Sequence, residues 1–283
     1  MSALSLADGR SLVWGEFGDP AGRALFFFHG TPGSRLGASG LHDAACARGV
    51  RVLAPERPGC GRSDPQPGRT LLDWPRDVRA LADALGVERF AVAGVSGGGP
   101  YAAACAWALP ERVSGAAILS GIGPADRPGE TRDMLAPNRI AIWMFRHSPR
   151  LARALLSPLA RQLRNPERAL AQMARSLPEP DRRIVAERHQ QASLAAQLRE
   201  SVARGNEGLF SDFEIFSRPW GFPLAEIRVP VHLWHGELDR NCPIAMARRV
   251  AAEIPGCRAT FAPGAGHLFT LQRIDEVLEA LGL

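Results

Sequence analysis

The chain has 283 residues, 46% apolar and 22% charged, an ordinary globular composition with room for one large domain or a core plus an inserted lobe. No apolar run approaches the roughly 20 residues of a membrane helix, and the opening MSALSLADGRSLVW lacks a basic stretch followed by an apolar core, so a cytoplasmic chain without a membrane partner is expected. The net charge is +5, and all 34 basic residues are arginine. They spread along the chain, denser over 146–168, without the aromatic interleaving of a nucleic-acid platform, so no nucleic-acid partner is expected. The five cysteines (46, 60, 105, 242, 257) show neither paired nor metal-type spacing and read as reduced thiols.

In chain order, residues 11–17 alternate as an edge strand and Gly18-Asp19-Pro20 turns. Residues 24–28, ALFFF, form a buried strand that ends in His29-Gly30-Thr31-Pro32-Gly33. A helix over roughly 36–48 leads to a strand at 50–54, and the Pro- and Gly-rich residues 55–68 must be surface turn. Asp73 can cap a helix carrying Val78, Leu81 and Leu85, which stops at Gly86. Next comes Phe90-Ala91-Val92-Ala93, then Gly94-Val95-Ser96-Gly97-Gly98-Gly99, then an alanine-rich helix ending at Pro110. Strand, glycine-flanked serine and helix together form the context in which G-x-S-x-G marks a nucleophile at a tight turn. Glycine at 94 and 98 removes the side-chain collisions that such a turn would cause.

A strand at 116–120 follows, and then the alternation stops. Residues 121–227 carry no strand-like run, only helical stripes: Leu151, Leu155, Leu159 and Leu163, then Leu170, Met173 and Leu177. Asn165-Pro166 reads as a cap and first turn. Ile184, Val185, Leu194, Leu198 and Val202 suggest a further helix ended by Gly205, and Phe210, Phe213, Phe216 and Trp220 follow at nearly helical spacing. This region reads as a helical cap inserted between two strands. Its aromatics either fill the cap core or line a substrate pocket, for which Trp143, Phe210, Phe213 and Trp220 are the candidates. Strands resume at 229–236 and near 258–261, and the last helix covers roughly 270–281. Alternating strands and helices imply a parallel sheet with ligands at the carboxyl ends of its strands.

A serine hydroxyl needs a base, itself oriented by a third group. Asp239 in HGELD follows one strand, and His267 in GAGH follows the next on a glycine-rich loop. Asp126 and Glu237 are competing acids, and His29 and His235 read as structural hydrogen-bonding residues. His232, His235 and Asp239 could suggest a metal, but two fall on a buried strand and no second cluster exists, so no metal is expected.

With HGTPG upstream, GVSGG, HGELD and GAGH resemble the α/β-hydrolase superfamily in its capped branch, in the order Ser, Asp, His. The resemblance covers nearly the whole chain. It implies a mostly parallel α/β sheet of about eight strands with helices on both faces, a core of 1–120 and 228–283, an inserted cap at 121–227, and no cofactor. Ser96 is then the nucleophile, His267 the base and Asp239 the acid. Gly97 and Thr31 supply the oxyanion N–H donors, because Pro32 has none; the Thr31 hydroxyl is a third candidate donor. Epoxide hydrolases and haloalkane dehalogenases carry aspartate at the elbow, where this chain has Ser96. Proline iminopeptidases have a motif similar to HGTPG and bind an amino terminus with cap carboxylates, for which Glu207, Asp212 and Glu214 are placed. An ester or thioester hydrolase leads; the peptidase, a C–C hydrolase or perhydrolase, and a binding protein that retains the triad remain open.

Overall fold

The computed structural model describes residues 1–127 and 129–283. Among the described residues eight strands form one sheet: β1 (Ser2–Ser5), β2 (Ser11–Gly18), β3 (Arg23–Phe28), β4 (Val50–Pro55), β5 (Phe90–Val95), β6 (Val113–Leu119), β7 (Val231–Gly236) and β8 (Arg258–Ala262). Their order is β1-β2-β4-β3-β5-β6-β7-β8. Only β2 runs antiparallel to its neighbours; all other pairs are parallel. Sequence patterning finds seven of the eight. The first, Ser2-Ala3-Leu4-Ser5, is a short exposed edge strand with no buried face to generate a pattern.

Alternation along the buried strands builds two cores. Phe26, Phe28 and Val92 face one side with α2 (Trp74–Ala84) and α3 (Gly99–Ala108), whereas Leu25, Phe27 and Ala93 face the other beside α1 (His42–Ala47). Helix α3 is buried all round, which explains its run of small residues: it wedges between the sheet and α2. The predicted helix at 36–48 is a 3-10 segment, Arg35–Leu41, followed by the short α1. Asp73 stands at the N-cap position of α2, but its side chain makes no bond into that helix and closes a capping box on the preceding 3-10 turn. There its carboxylate accepts the N–H and hydroxyl of Thr70.

Among the described residues, six α-helices lie between β6 and β7: α4 (Ala136–His147), α5 (Pro149–Ala160), α6 (Pro166–Ala174), α7 (Glu179–Ala186), α8 (Arg188–Ser201) and α9 (Glu207–Phe216). Asn165 caps α6 by accepting the Arg168 N–H. The single helix expected from Ile184 to Val202 is two, broken where Glu187 takes an extended conformation. On α5 the leucine stripe has the right period but the opposite face. Leu151, Leu155 and Leu159 are 54%, 59% and 51% exposed, while Ala152 and Ala160 pack inward against Phe145 and Phe210. Small residues let α5 approach its neighbours closely, and spacing alone does not say which side does so. The chain returns through α10 (Ile244–Glu253) and ends in α11 (Ile274–Ala280), which is shorter than expected because Phe269–Gln272 is 3-10. No helix among the described residues is long and apolar enough to cross a membrane.

Candidate active site

Strands β3 and β5 are parallel neighbours with Phe28 opposite Gly94, so the loops that leave them emerge at the same level. After β5 the chain turns through Ser96 with φ +55°, a left-handed conformation that costs a non-glycine residue energy and is held here by its surroundings. A Cβ at Gly94 would stand 2.1 Å from the Gly98 carbonyl oxygen, as the elbow requires. At Gly98 the collision would be with the Phe28 carbonyl oxygen at 2.2 Å, so that glycine is demanded by β3 rather than by the turn itself.

The loops after β7 and β8 complete the arrangement. The Ser96 hydroxyl lies 3.0 Å from His267 Nε2, and His267 Nδ1 lies 2.7 Å from Asp239 Oδ2. A carboxylate only accepts, so Nδ1 carries the hydrogen and leaves Nε2 free to take the serine proton. Asp239 Oδ1 accepts the N–H groups of Asn241 and Cys242 at 2.8 and 2.9 Å, which fixes its plane. Burial disfavours the imidazolium of His267, but the Asp239 charge and hydrogen bond, with Asp181 adding to them, hold its pKa above the usual histidine value.

The competing acids lie elsewhere: Asp126 is paired with Arg249 at 2.7 Å, and Glu237 faces Arg248 at 3.6 Å. Both candidate structural histidines are hydrogen-bonded. His235 Nε2 donates to the Cys242 carbonyl at 2.7 Å, and His29 Nδ1 donates to the Gly30 carbonyl at 2.8 Å. Among the described residues one cluster has metal-type donors close together, Asp239, Cys242 and His267; Asp239 and His267 already bond to each other there. His232 is not part of it.

Thr31 and Gly97 sit face to face, since a Cβ at Gly97 would meet the Thr31 hydroxyl at 2.4 Å. Gly97 lies in the first turn after the elbow, where its N–H has no intrahelical partner. The Thr31 hydroxyl is not free to serve as a third donor. It donates to Asp212 Oδ2 at 2.6 Å and accepts from Arg57 at 2.8 Å. Asp212, on α9, is fully buried in a network that sequence reading did not foresee. Arg57 and Arg69 donate to it at 2.7 and 2.6 Å, and the Tyr101 hydroxyl at 2.7 Å. Burial alone would raise its pKa, but the two guanidinium groups drive it well below the ordinary carboxylate range. Arg57 also donates to the His29 and Gly30 carbonyls, so the network supports the backbone of the HGTPG loop from beneath.

Ser96, Gly97, Thr31 and His267 open on a cavity of about 230 Å³ between the strand ends and the helices of the insert. Its wall is apolar, with Ile142, Leu170, Leu198, Phe213 and Phe216 from the insert and Asn138, Gln197 and Asn241 as polar points. His267 is the one histidine, and no Asp, Glu or Arg lines it among the described residues. Of the four pocket candidates only Phe213 reaches this wall. Phe210 packs against Phe145 inside the insert, Trp220 is buried in the main core, and Trp143 is 61% exposed beside His147. Phe216 lies three residues after Phe213 and does line the cavity; spacing could not tell which of the aromatics face it. Glu207 and Glu214 both bond Arg153, at 2.8 and 3.1 Å, away from the cavity. A second cavity of about 300 Å³ adjoins the first, sharing Phe27, Gln197, Thr270 and Leu271.

A family profile described as "Alpha/beta hydrolase family" matches residues 25–280. The chain belongs to the alpha/beta hydrolase family. Among its relatives, it is 33% identical to a non-heme chloroperoxidase from Streptomyces lividans over 126 residues, 44% of this chain and 46% of that protein. It is 34% identical to a proline iminopeptidase from Neisseria gonorrhoeae over 132 residues, 45% of this chain and 41% of that protein. These matches thus span less than half of either relative. An enol-lactonase from Burkholderia xenovorans superposes with a TM-score of 0.74 at 19% identity, covering 100% of both chains. An esterase from Rhodococcus gives 0.70 at 25% identity over 99% of this chain and 97% of that one. Within this alpha/beta hydrolase the strand-end loops and the helical insert share the wall of the cavity.

Proposed function

We propose that the protein is a serine hydrolase that cleaves uncharged carboxylic esters or thioesters through an acyl-enzyme on Ser96. One observation carries the reading: the Ser96–His267–Asp239 hydrogen-bond chain opens into an apolar cavity whose wall, among the described residues, offers no carboxylate and no arginine. Ser96 Oγ attacks the carbonyl carbon as its proton passes to His267 Nε2. The tetrahedral oxyanion lies toward the Thr31 and Gly97 N–H groups, each worth roughly 3 kcal/mol where such donors have been measured. Collapse breaks the bond to the leaving oxygen or sulfur, which takes the proton from His267, and water reverses the sequence to release the acid.

A proline iminopeptidase reading draws on the names of several relatives. It requires an anionic group for the substrate's amino terminus, and Glu207, Asp212 and Glu214 are each engaged by arginine outside the cavity wall. The neutral wall favours the ester. Stopped-flow cleavage of p-nitrophenyl acetate with intact-mass detection tests this. The expected result is a burst equal to the enzyme concentration and an acetyl group on Ser96. Both vanish in Ser96→Ala and His267→Ala, with turnover down about 10⁴- to 10⁶-fold. No burst and no effect of either substitution would overturn the reading and favour a binding protein; faster cleavage of prolyl substrates than of esters would favour the peptidase.

A further inference from the structure

Asp181 lies on α7 of the insert and is completely buried, yet no arginine or histidine among the described residues forms an ion pair with it. Both its oxygens are used on the histidine loop: Oδ2 accepts the N–H of His267 itself at 2.8 Å, and Oδ1 accepts that of Leu268 at 2.9 Å. The loop is shaped to receive it. A Cβ at Gly266 would stand 2.4 Å from the carboxylate, so any other residue there would push Asp181 away. Burial raises the pKa of this carboxyl, and the two N–H bonds recover only part of the cost. A buried charge without a cation is an expensive way to hold a loop, since a neutral acceptor could take the same N–H groups. Its neighbourhood supplies what the charge can do. The groups around the imidazole are the Ser96 hydroxyl, the Cys242 thiol, Asp239 with His235 behind it, and Asp181. The two carboxylates are the only charges among them, and both favour the imidazolium.

We propose that Asp181 is a positioning residue for His267: the insert carries a carboxylate that fixes the backbone of the histidine loop and sets a second negative charge beside the imidazole, so that the base is assembled only while α7 is docked. The inference rests on the serine-hydrolase reading above. When the proton leaves Ser96 Oγ for His267 Nε2, the new positive charge lies between Asp239 and Asp181. When α7 lifts, two backbone donors lose their acceptor and Gly264-Ala265-Gly266 is released. Closure of the insert and competence of the base are then the same event.

The test measures the acylation burst with p-nitrophenyl acetate from pH 5 to 9 in wild type, Asp181→Asn and Gly266→Ala, with urea midpoints to show that each variant folds. In Asp181→Asn the loss of the charge lowers the imidazole pKa, so the acid limb of the acylation profile moves to lower pH. The plateau rate falls about 10- to 100-fold, the scale of a slightly displaced base, with apparent substrate affinity unchanged. Gly266→Ala keeps the carboxylate in the protein but drives it off the loop, and is expected to lower the plateau to the same degree. A folded Asp181→Asn enzyme with wild-type rate and acid limb would overturn the proposal and leave a merely structural contact. Should Asp181→Asn fail to fold, Gly266→Ala decides by the same readouts, wild-type values again overturning it. Absence of a burst in the wild type itself fails the hydrolase reading, a separate result that removes the base to be positioned.

Discussion

His29 carries no charge in the fold. Burial, with Arg57 adding to it, pushes its pKa down to about 3, and its Nε2 accepts the Arg57 backbone N–H at 3.3 Å, which a protonated ring cannot do. Unfolded, the ring titrates near ~6.5. Acid therefore favours the unfolded chain: the stability held by neutral His29 is full above about pH 6.5 and is lost progressively as pH falls toward 3. His235, also depressed by burial, acts in the same direction, while His267, whose pKa is raised, acts in the opposite one. Urea midpoints should fall steadily between pH 7 and 4.5 in the wild type and fall less in His29→Gln, whose amide can supply both a donor and an acceptor. A midpoint that is flat with pH in the wild type would contradict the buried neutral ring. Single residues such as Ser96, Asp239 and His267 are legible in the sequence because each stands at a strand end, and strand ends are local features. Asp181 is not. It sits in Glu179-Pro180-Asp181-Arg182-Arg183, which reads as a solvated charged turn, and only the docking of α7 brings it to His267.

At the scale of elements, the insert helices act by the faces they present. Helix α8 separates the two cavities with Gln197, whose side chain stands over Gly37, and lines the second with Ser193. The floor of that second cavity is core surface, Leu25, Ala93 and Leu278 among others. A bulky side chain at 193 should close it while leaving Ser96, His267 and the first cavity intact. Ser193→Trp is expected to lower kcat/KM for p-nitrophenyl octanoate at least tenfold and to change that for the acetate less than twofold; each methylene left unburied costs about 0.8 kcal/mol. Equal effects on both esters would mean that acyl chains do not enter the second cavity. The sequence showed the helices by period and caps, as Asn165-Pro166 illustrates, but not their orientation. The α5 leucines had the spacing of a buried stripe and point outward, because alanines at 152 and 160 made the closer fit.

Across the whole molecule, the insert and the sheet are joined by buried charge. Asp212 on α9 receives Arg57, Arg69, Tyr101 and Thr31, which come from three separate core segments. Removing one member of such a network strands the others without partners, which typically costs 3–5 kcal/mol. Asp212→Ala should lower the urea midpoint by about that amount divided by the slope of unfolding, and should also slow turnover by freeing the HGTPG loop. An unchanged midpoint would show that the network is not what holds the insert down. Length, the alternation of buried strands with helices, and the motifs at the strand ends were enough for the sequence by itself to determine an α/β sheet, a helical insertion and the three residues of the Ser96 chain. These are short-range properties of period, turn and loop. Only the tertiary structure decided which faces of the insert look inward, that Phe213 and Phe216 rather than Phe210 and Trp220 reach the cavity, and that Asp181 and Asp212 each bond a loop at the strand ends, through His267 and Thr31. A buried carboxylate and a solvated one are spelled alike, and what distinguishes them is the distant segment that packs against each.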